Sequence, residues 1–167
     1  MGSEVYWIGA PLGGRLAIMA RPRAGDWLDD EIAGWRIEGV DIVVSLLEPD
    51  EVGELGLRRE PDLCEVHSIE FISFPIPDRG VPESFHETTI LVRSIARRIS
   101  EGKGVTIHCR AGIGRSSLIA ACVLVCSGFN PDTVFEMIGN ARGVKVPDTE
   151  GQRDWLAAFH KATSEAS

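Results

Sequence analysis

A chain of 167 residues, 44% hydrophobic and 25% charged, is long enough to bury an apolar core without disulfides or metals, and its composition excludes a disordered, fibrous or membrane-embedded protein. A net charge of −8 repels nucleic-acid backbones and acidic membrane surfaces at long range, while leaving room for a local basic pocket that holds an anion. The cysteines at 64, 109, 122 and 126 and the histidines at 67, 86, 108 and 160 follow no zinc-finger spacing, so neither a metal nor another cofactor is expected.

Val5 to Ala10 and Leu16 to Ala20 are short apolar runs on either side of Pro11-Leu12-Gly13-Gly14, the pattern of two strands joined by a turn. Leu28, Ile32 and Trp35, with Ala33 beside them, recur at helical spacing up to Ile37, behind Asp26 as a candidate N-cap and before Gly39 as a stop. Asp41 to Leu47 is continuously apolar and β-branched, which predicts a strand covered on both faces and hence a parallel sheet, ended by Pro49. Two short helical pieces, Glu51 to Leu57 and Pro61 to His67, precede a strand at Ile69 to Ile76, after which Pro77-Asp78-Arg79-Gly80 turns the chain. Ser84 to Ser100 reads as an amphipathic helix with Ile90, Leu91, Ile95 and Ile99 on its apolar face and Glu87 in its first turns. Val105 to His108 is a short buried strand, Cys109 to Gly114 a glycine-containing loop, and Arg115 to Cys126 an apolar helix ending before Gly128. Helices at Pro131 to Asn140, with Asn130 as cap and Pro131 in the first turn, and at Thr149 to Ala162 complete the chain. The fold class is α/β, a single domain over residues 1–167 with a central, mostly parallel sheet flanked by helices and a phosphate loop between a central strand and a helix.

That loop carries the chemistry. Val105-Thr-Ile-His-Cys-Arg-Ala-Gly-Ile-Gly-Arg-Ser-Ser117 puts Cys109 at the end of a buried strand and Arg115 at the start of a helix. Glycines at 112 and 114 let successive backbone N–H groups turn toward one point, and the helix adds its unpaired N–H groups and the positive end of its dipole. The same field favours a thiolate at Cys109, while the planar fork of Arg115 can hold two phosphate oxygens and follow them into the transition state. Expulsion of a phenol or alcohol needs a proton, and Asp78, on a proline- and glycine-bounded loop at a strand's end, is the candidate acid and then the base for water. Ser116, directly after the arginine, is placed to donate a hydrogen bond to the departing thiolate.

His108-Cys109-Arg-Ala-Gly112-Ile-Gly114-Arg115-Ser116 resembles the H-C-x-x-G-x-x-R-[S/T] signature of the cysteine-based protein tyrosine phosphatases. The short chain, and Pro-Asp-Arg-Gly where the large tyrosine-specific enzymes carry Trp-Pro-Asp, make it more similar to the compact dual-specificity branch. The resemblance implies that Cys109 is the nucleophile, that Arg110, Ala111, Gly112, Ile113, Gly114 and Arg115 bind phosphate, that Asp78 is acid and base, that Ser116 assists release, and that His108 supports the thiolate. Thr149-Glu-Gly-Gln152 is similar to the glutamine-bearing loop that positions water and touches substrate in the larger enzymes, but Asp148 stands where their first glutamine would be.

The expected substrate is a phosphoprotein or phosphopeptide, phosphotyrosine and also phosphoserine or phosphothreonine, with no nucleic-acid partner, no membrane span, a monomeric state and a cytoplasmic location with reduced thiols. Two alternatives stay open. One is a phosphatase of a non-protein substrate such as a phosphoinositide, against which stands a loop with only Arg110 as an extra basic residue; the other is a silent module that captures phosphoproteins. Cys122 and Cys126 fit core packing, and Cys64 is a candidate for redox pairing with the nucleophile.

Overall fold

The strand that leads into the cysteine loop lies in the middle of the sheet. In the computed structural model, which describes residues 4–165, the strands β1 (Tyr6–Trp7), β2 (Arg15–Met19), β3 (Ile42–Ser45), β4 (Glu70–Ser73) and β5 (Gly104–His108) are ordered β1-β2-β5-β3-β4. β5 is parallel to β2 and β3, β3 is parallel to β4, and β1 alone is antiparallel to its neighbour β2, so the expected mostly parallel sheet forms. The outermost residues of the 1–167 domain, 1–3 and 166–167, fall outside the described residues.

Strand alternation sorts the side chains onto two apolar faces. Leu16, Ile18, Ile42, Val44, Val105 and Ile107 join one core, with α4 (Phe85–Ser100), α5 (Arg115–Cys126), α6 (Val134–Arg142) and α7 (Glu150–Glu165). Ala17, Met19 and Val43 join the other, beneath α1 (Leu28–Ile37) and α3 (Glu60–Val66), with Val52 of α2 (Pro49–Glu54) packed at its edge. Helix α5 is buried along its length from Arg115 to Leu124, and each of Leu118, Ile119, Val123 and Leu124 contributes about 1.5–3 kcal/mol by leaving water. The helix that follows the cysteine loop is thus the least free to move.

Four local expectations change. Asp26 falls inside a short 3-10 turn, Gly25–Trp27, so α1 starts without a side-chain cap. Helix α4 is capped by Ser84, whose Oγ accepts from Glu87 N, but its buried stripe is Thr88, Val92, Ile95 and Ile99; Ile90 is 59% exposed because the helix turns it about 100° per residue away from that stripe. Helix α6 begins at Val134 instead of Pro131, because the Asn130 side chain accepts from Asp132 N and folds residues 130–133 into a turn. β4 is a partly exposed edge strand that ends at Ser73, yet the chain stays bonded to the continuation of β3 through Phe74 N to Ser45 O and Ile76 N to Leu46 O. Those two bonds deliver Pro77-Asp78 to the C-terminal edge of the sheet, beside the end of β5.

Candidate active site

His108 closes β5, Arg115 opens α5, and the loop between them is held from outside. Gly112 sits at φ +70°, and a Cβ there would lie 2.5 Å from the Met19 carbonyl, so both the left-handed backbone and the close approach to the end of β2 demand glycine. Arg142 reaches over from α6, its Nε donating to Gly112 O at 3.0 Å and its Nη2 to Ala111 O at 3.1 Å, while Arg21 N donates to Arg110 O. A loop whose carbonyls are engaged on the outside offers its N–H groups inward, the arrangement of an anion-binding nest. We expect Gly112→Ala to lose about 1–2 kcal/mol from the backbone alone and to lower turnover of an aryl phosphate by about a hundredfold through displacement of the loop, read from urea melts and initial rates.

A cavity of about 200 Å³ lies over the loop, lined by Asp78, Arg79, Cys109, Arg110, Ala111, Ile113, Gly114, Arg115, Asp148 and Gln152. Cys109 is buried, with Sγ 3.0 Å from the Ser116 hydroxyl behind it. Arg115 is almost fully buried, and Glu51 grips it as a fork, Nη1 to Oε1 at 2.7 Å and Nη2 to Oε2 at 3.0 Å. Nη1 also donates to Ile76 O at 2.9 Å, and Nη2 to Asp78 Oδ1 at 3.1 Å. The guanidinium is therefore fixed in plane by Glu51 from one side, while its contact with the exposed Asp78 carboxylate faces the cavity.

Burial pushes the Glu51 carboxyl up, and hydrogen bonds from Arg115 and Glu48 N, with the Arg115 charge, more than reverse it, to about 2. Burial pushes the Arg115 guanidinium down, and Glu51, Cys109 and Asp78 together hold it above its ordinary value. Because the folded value of Glu51 lies below its ordinary 4.5, the pair stabilises the fold above that pH and the contribution is lost as pH falls toward about 2. The expected result is a urea midpoint that drops steeply from pH 4.5 to 2.5 in the wild type and less steeply in Glu51→Gln, which starts from a lower midpoint at pH 6; parallel curves would contradict it.

The remaining sequence candidates are placed as follows. His108 lies behind the loop, fully buried, with Nε2 2.6 Å from Glu60 Oε2. Arg110 lines the cavity while its guanidinium meets α2, where Glu51 and Glu54 lie 3.2 Å and 3.6 Å from it. Ala111, Ile113 and Gly114 line the cavity, whereas Gly112 backs onto Met19. Gln152 reaches the cavity wall, but its Oε1 accepts from Asp148 N and Thr149 N and its Nε2 donates to Gly80 O, which braces the Asp78 loop against the start of α7. Arg79 adds a second brace across the same gap, 2.9 Å from Asp148.

Glu51, Glu60 and Arg142 are the residues that sequence reasoning missed. Glu48 and Glu51 form a capping box at the start of α2, a spacing visible in the sequence, but nothing local ties Glu51 to an arginine 64 positions later. Cys64, on α3, is buried in the core that also holds Leu28, Ile32 and Trp35, and burial, then the charge of Glu60, pushes its thiol up to about 12. Cys109 belongs to the opposite core, and all four cysteines are free. Burial, and then the neighbouring Cys126, raises the thiol of Cys122 well above its ordinary value, and burial raises that of Cys126 against the charge of Arg93. Among the described residues no group of His, Cys, Asp and Glu is placed to hold a metal ion, and no helix is long and apolar enough to cross a membrane.

Comparison with known proteins bears on the family and the fold. Residues 17–129 match the protein family described as "Polymorphic toxin system, DSP-PTPase phosphatase". The chain belongs to the DSP-PTPase phosphatases. Among curated relatives, cyclin-dependent kinase inhibitor 3 of Rattus norvegicus is 30% identical over 112 residues, 64% of this chain and 52% of that one. The chain thus spans about half the length of that relative. A mutant form of Tk-PTP is 31% identical at a TM-score of 0.73, covering 91% of this chain and 93% of that one. Kinase associated phosphatase with serine in place of its catalytic-site cysteine superposes at a TM-score of 0.88 over 98% of this chain and 97% of that one, with 18% identity, a likeness of fold. As in other proteins of this α/β architecture, the DSP-PTPase cavity opens at the C-terminal ends of the parallel strands, where β5 passes into the loop.

Proposed function

We propose that the chain hydrolyses phosphotyrosine, and also phosphoserine or phosphothreonine, in proteins or peptides through a phosphocysteine at Cys109. The observation that carries this reading is the convergence of Cys109, the Arg115 fork and the Asp78 carboxylate on one cavity of about 200 Å³, small enough for a phosphate ester and lined by the loop.

The geometry supplies each step. Two phosphate oxygens take the cavity-facing side of Arg115 and the loop N–H groups, displacing Asp78 from Nη2 and freeing its carboxyl to turn toward the ester oxygen. The Cys109 thiolate attacks phosphorus, the S–P bond forms as the P–O bond to the alcohol or phenol breaks, and Asp78 gives its proton to that oxygen. Water then attacks the phosphocysteine, returning its proton to Asp78. The S–P bond breaks, and the Ser116 hydroxyl, 3.0 Å from Sγ, donates to the thiolate that leaves. Glu51 keeps the guanidinium fork in plane throughout.

Rim charges favour a lightly charged phosphoester over a phosphoinositide. Arg79 is spent on Asp148 and Arg110 on Glu51 and Glu54, so each basic side chain beside the cavity already carries an acidic partner, and Ile113 is apolar. Four free thiols and a thiolate chemistry fit a reducing, cytoplasmic setting. The test is hydrolysis in EDTA of phosphotyrosine peptide, phosphothreonine peptide and inositol polyphosphate. We expect kcat/KM to be highest on the phosphotyrosine peptide; preference for the inositol polyphosphate would overturn the protein-substrate reading.

A further inference from the structure

Glu60 and His108 form a buried pair that the reaction sequence above leaves unused. His108 occupies the face of β5 opposite to Val105 and Ile107, so its ring lies under α1 and α3, 6.4 Å from the Trp35 ring, on the far side of the sheet from α5. Glu60, the first residue of α3, is 1% exposed and brings Oε2 to 2.6 Å from His108 Nε2. A carboxylate sealed into an apolar face is costly unless paired, and a buried ion pair adds little stability over well-packed apolar residues, so packing does not account for it. The other ring nitrogen, Nδ1, faces the Cys109 carbonyl at 3.4 Å. An imidazole with an oxygen acceptor opposite each nitrogen binds both when it carries two protons and a positive charge.

We propose that Glu60 is a positioning residue: its carboxylate orients His108 and holds the ring cationic beside the Cys109 carbonyl, so that the Cys109 thiolate forms more readily than the loop and Arg115 alone would allow. The gain to turnover rests on the phosphatase reading; the effect on the thiol does not. The charges around the assembly are consistent with it. From α5, Arg115 and the uncharged Ser116 face Cys109, and Arg115 is neutralised in turn by Glu51 from α2 and Asp78 from its loop. From α3, Glu60 faces His108, and Cys64 one turn further on keeps its proton, pushed up by burial and by the charge of Glu60. From α1 comes the neutral Trp35, and the strand neighbours of His108 are Met19 and Ser45. Moving out from the sulfur through this pair, the order of charge is positive, then negative.

The test is alkylation of Cys109 by iodoacetamide between pH 5.5 and 8 in the full chain, followed by mass spectrometry of the peptide containing Cys109, for wild type, Glu60→Gln and Glu60→Ala. Alongside it runs kcat/KM on para-nitrophenyl phosphate. In Glu60→Ala we expect alkylation at pH 5.5 to slow about tenfold and kcat/KM to fall with it, both deficits shrinking to about twofold or less by pH 8. Glu60→Gln, whose amide oxygen still accepts from Nε2, falls in between. A pocket merely loosened by the substitution loses the same factor at every pH, and that result, or unchanged alkylation in folded variants, would overturn the proposal. Should neither variant fold, imidazole nitrogen resonances of the wild-type protein decide: two protonated nitrogens on His108 at pH 6.5 support it, and a neutral ring overturns it. Because alkylation needs no turnover, a wild type that hydrolyses nothing yet shows the tenfold difference rejects the phosphatase reading and leaves the role of Glu60 intact.

Discussion

Cys109→Ser folds as the wild type does, binds tungstate with affinity within about threefold of it, and loses at least about four orders of magnitude in kcat on para-nitrophenyl phosphate, as removal of a nucleophile does elsewhere. The substitution exchanges one atom at a buried position where the neighbouring Ser116 hydroxyl, at 3.0 Å, can bond to oxygen as well as to sulfur. Phosphate recognition belongs to the loop backbone and to Arg115, which Glu51 fixes from the far side, so an oxyanion mimic still finds its site. A serine hydroxyl in the same place keeps its proton at neutral pH and is a poor nucleophile without a base beside it. Residual turnover within about tenfold of wild type would remove Cys109 from the mechanism.

Asp78→Asn separates the acid from the rest of the site. On phosphoserine peptide the loss in kcat/KM, which reports the first transfer, is expected at about three orders of magnitude, because an alkoxide is expelled only with a proton; on para-nitrophenyl phosphate, whose leaving group departs as a stable anion, the loss in kcat/KM is about tenfold or less. The carboxamide can still accept from Arg115 Nη2, as the carboxylate does at 3.1 Å, so the loop keeps its resting position and the difference between substrates reports proton transfer. Equal losses on both substrates would mean that Asp78 holds the loop and does not deliver the proton. The braces from Gln152 to Gly80 and from Arg79 to Asp148 give the control: they hold the same loop without touching the ester, and Arg79→Ala is expected to lower both substrates alike.

What the sequence made legible follows from how local each interaction is. Cys109, Arg115 and Ser116 sit in one continuous segment whose backbone shape is dictated by Gly112 and by the helix start, so their convergence was readable from spacing alone. Asp78 was readable because a turn between a strand's end and a helix in an α/β sheet opens on the C-terminal edge, and the bonds of Phe74 and Ile76 to the β3 continuation carry it there. Glu51 and Glu60 were not, since their partners stand 64 and 48 residues away and meet them only when α2 and α3 fold across the sheet's edge. Arg142 likewise depends on where α6 crosses the loop, and α6 itself starts late because Asn130 folds a turn instead of capping a helix. The exposed Ile90 shows the same limit in miniature: four isoleucines and leucines in a helix leave two candidate faces, and the sheet decides between them.

The claim on which the rest depends is a covalent bond between substrate phosphorus and Cys109 Sγ. Mixing wild type with radiolabelled phosphotyrosine peptide in EDTA, quenching in acid within milliseconds and mapping the label by mass spectrometry tests it directly. The account predicts an acid-stable phosphothiol on the peptide containing Cys109, absent from Cys109→Ser and, with radiolabelled para-nitrophenyl phosphate as donor, accumulating further in Asp78→Asn, where the nitrophenolate leaves without an acid but hydrolysis of the phosphothiol is slowed. Turnover with no label on Cys109 in either the wild type or Asp78→Asn would contradict it.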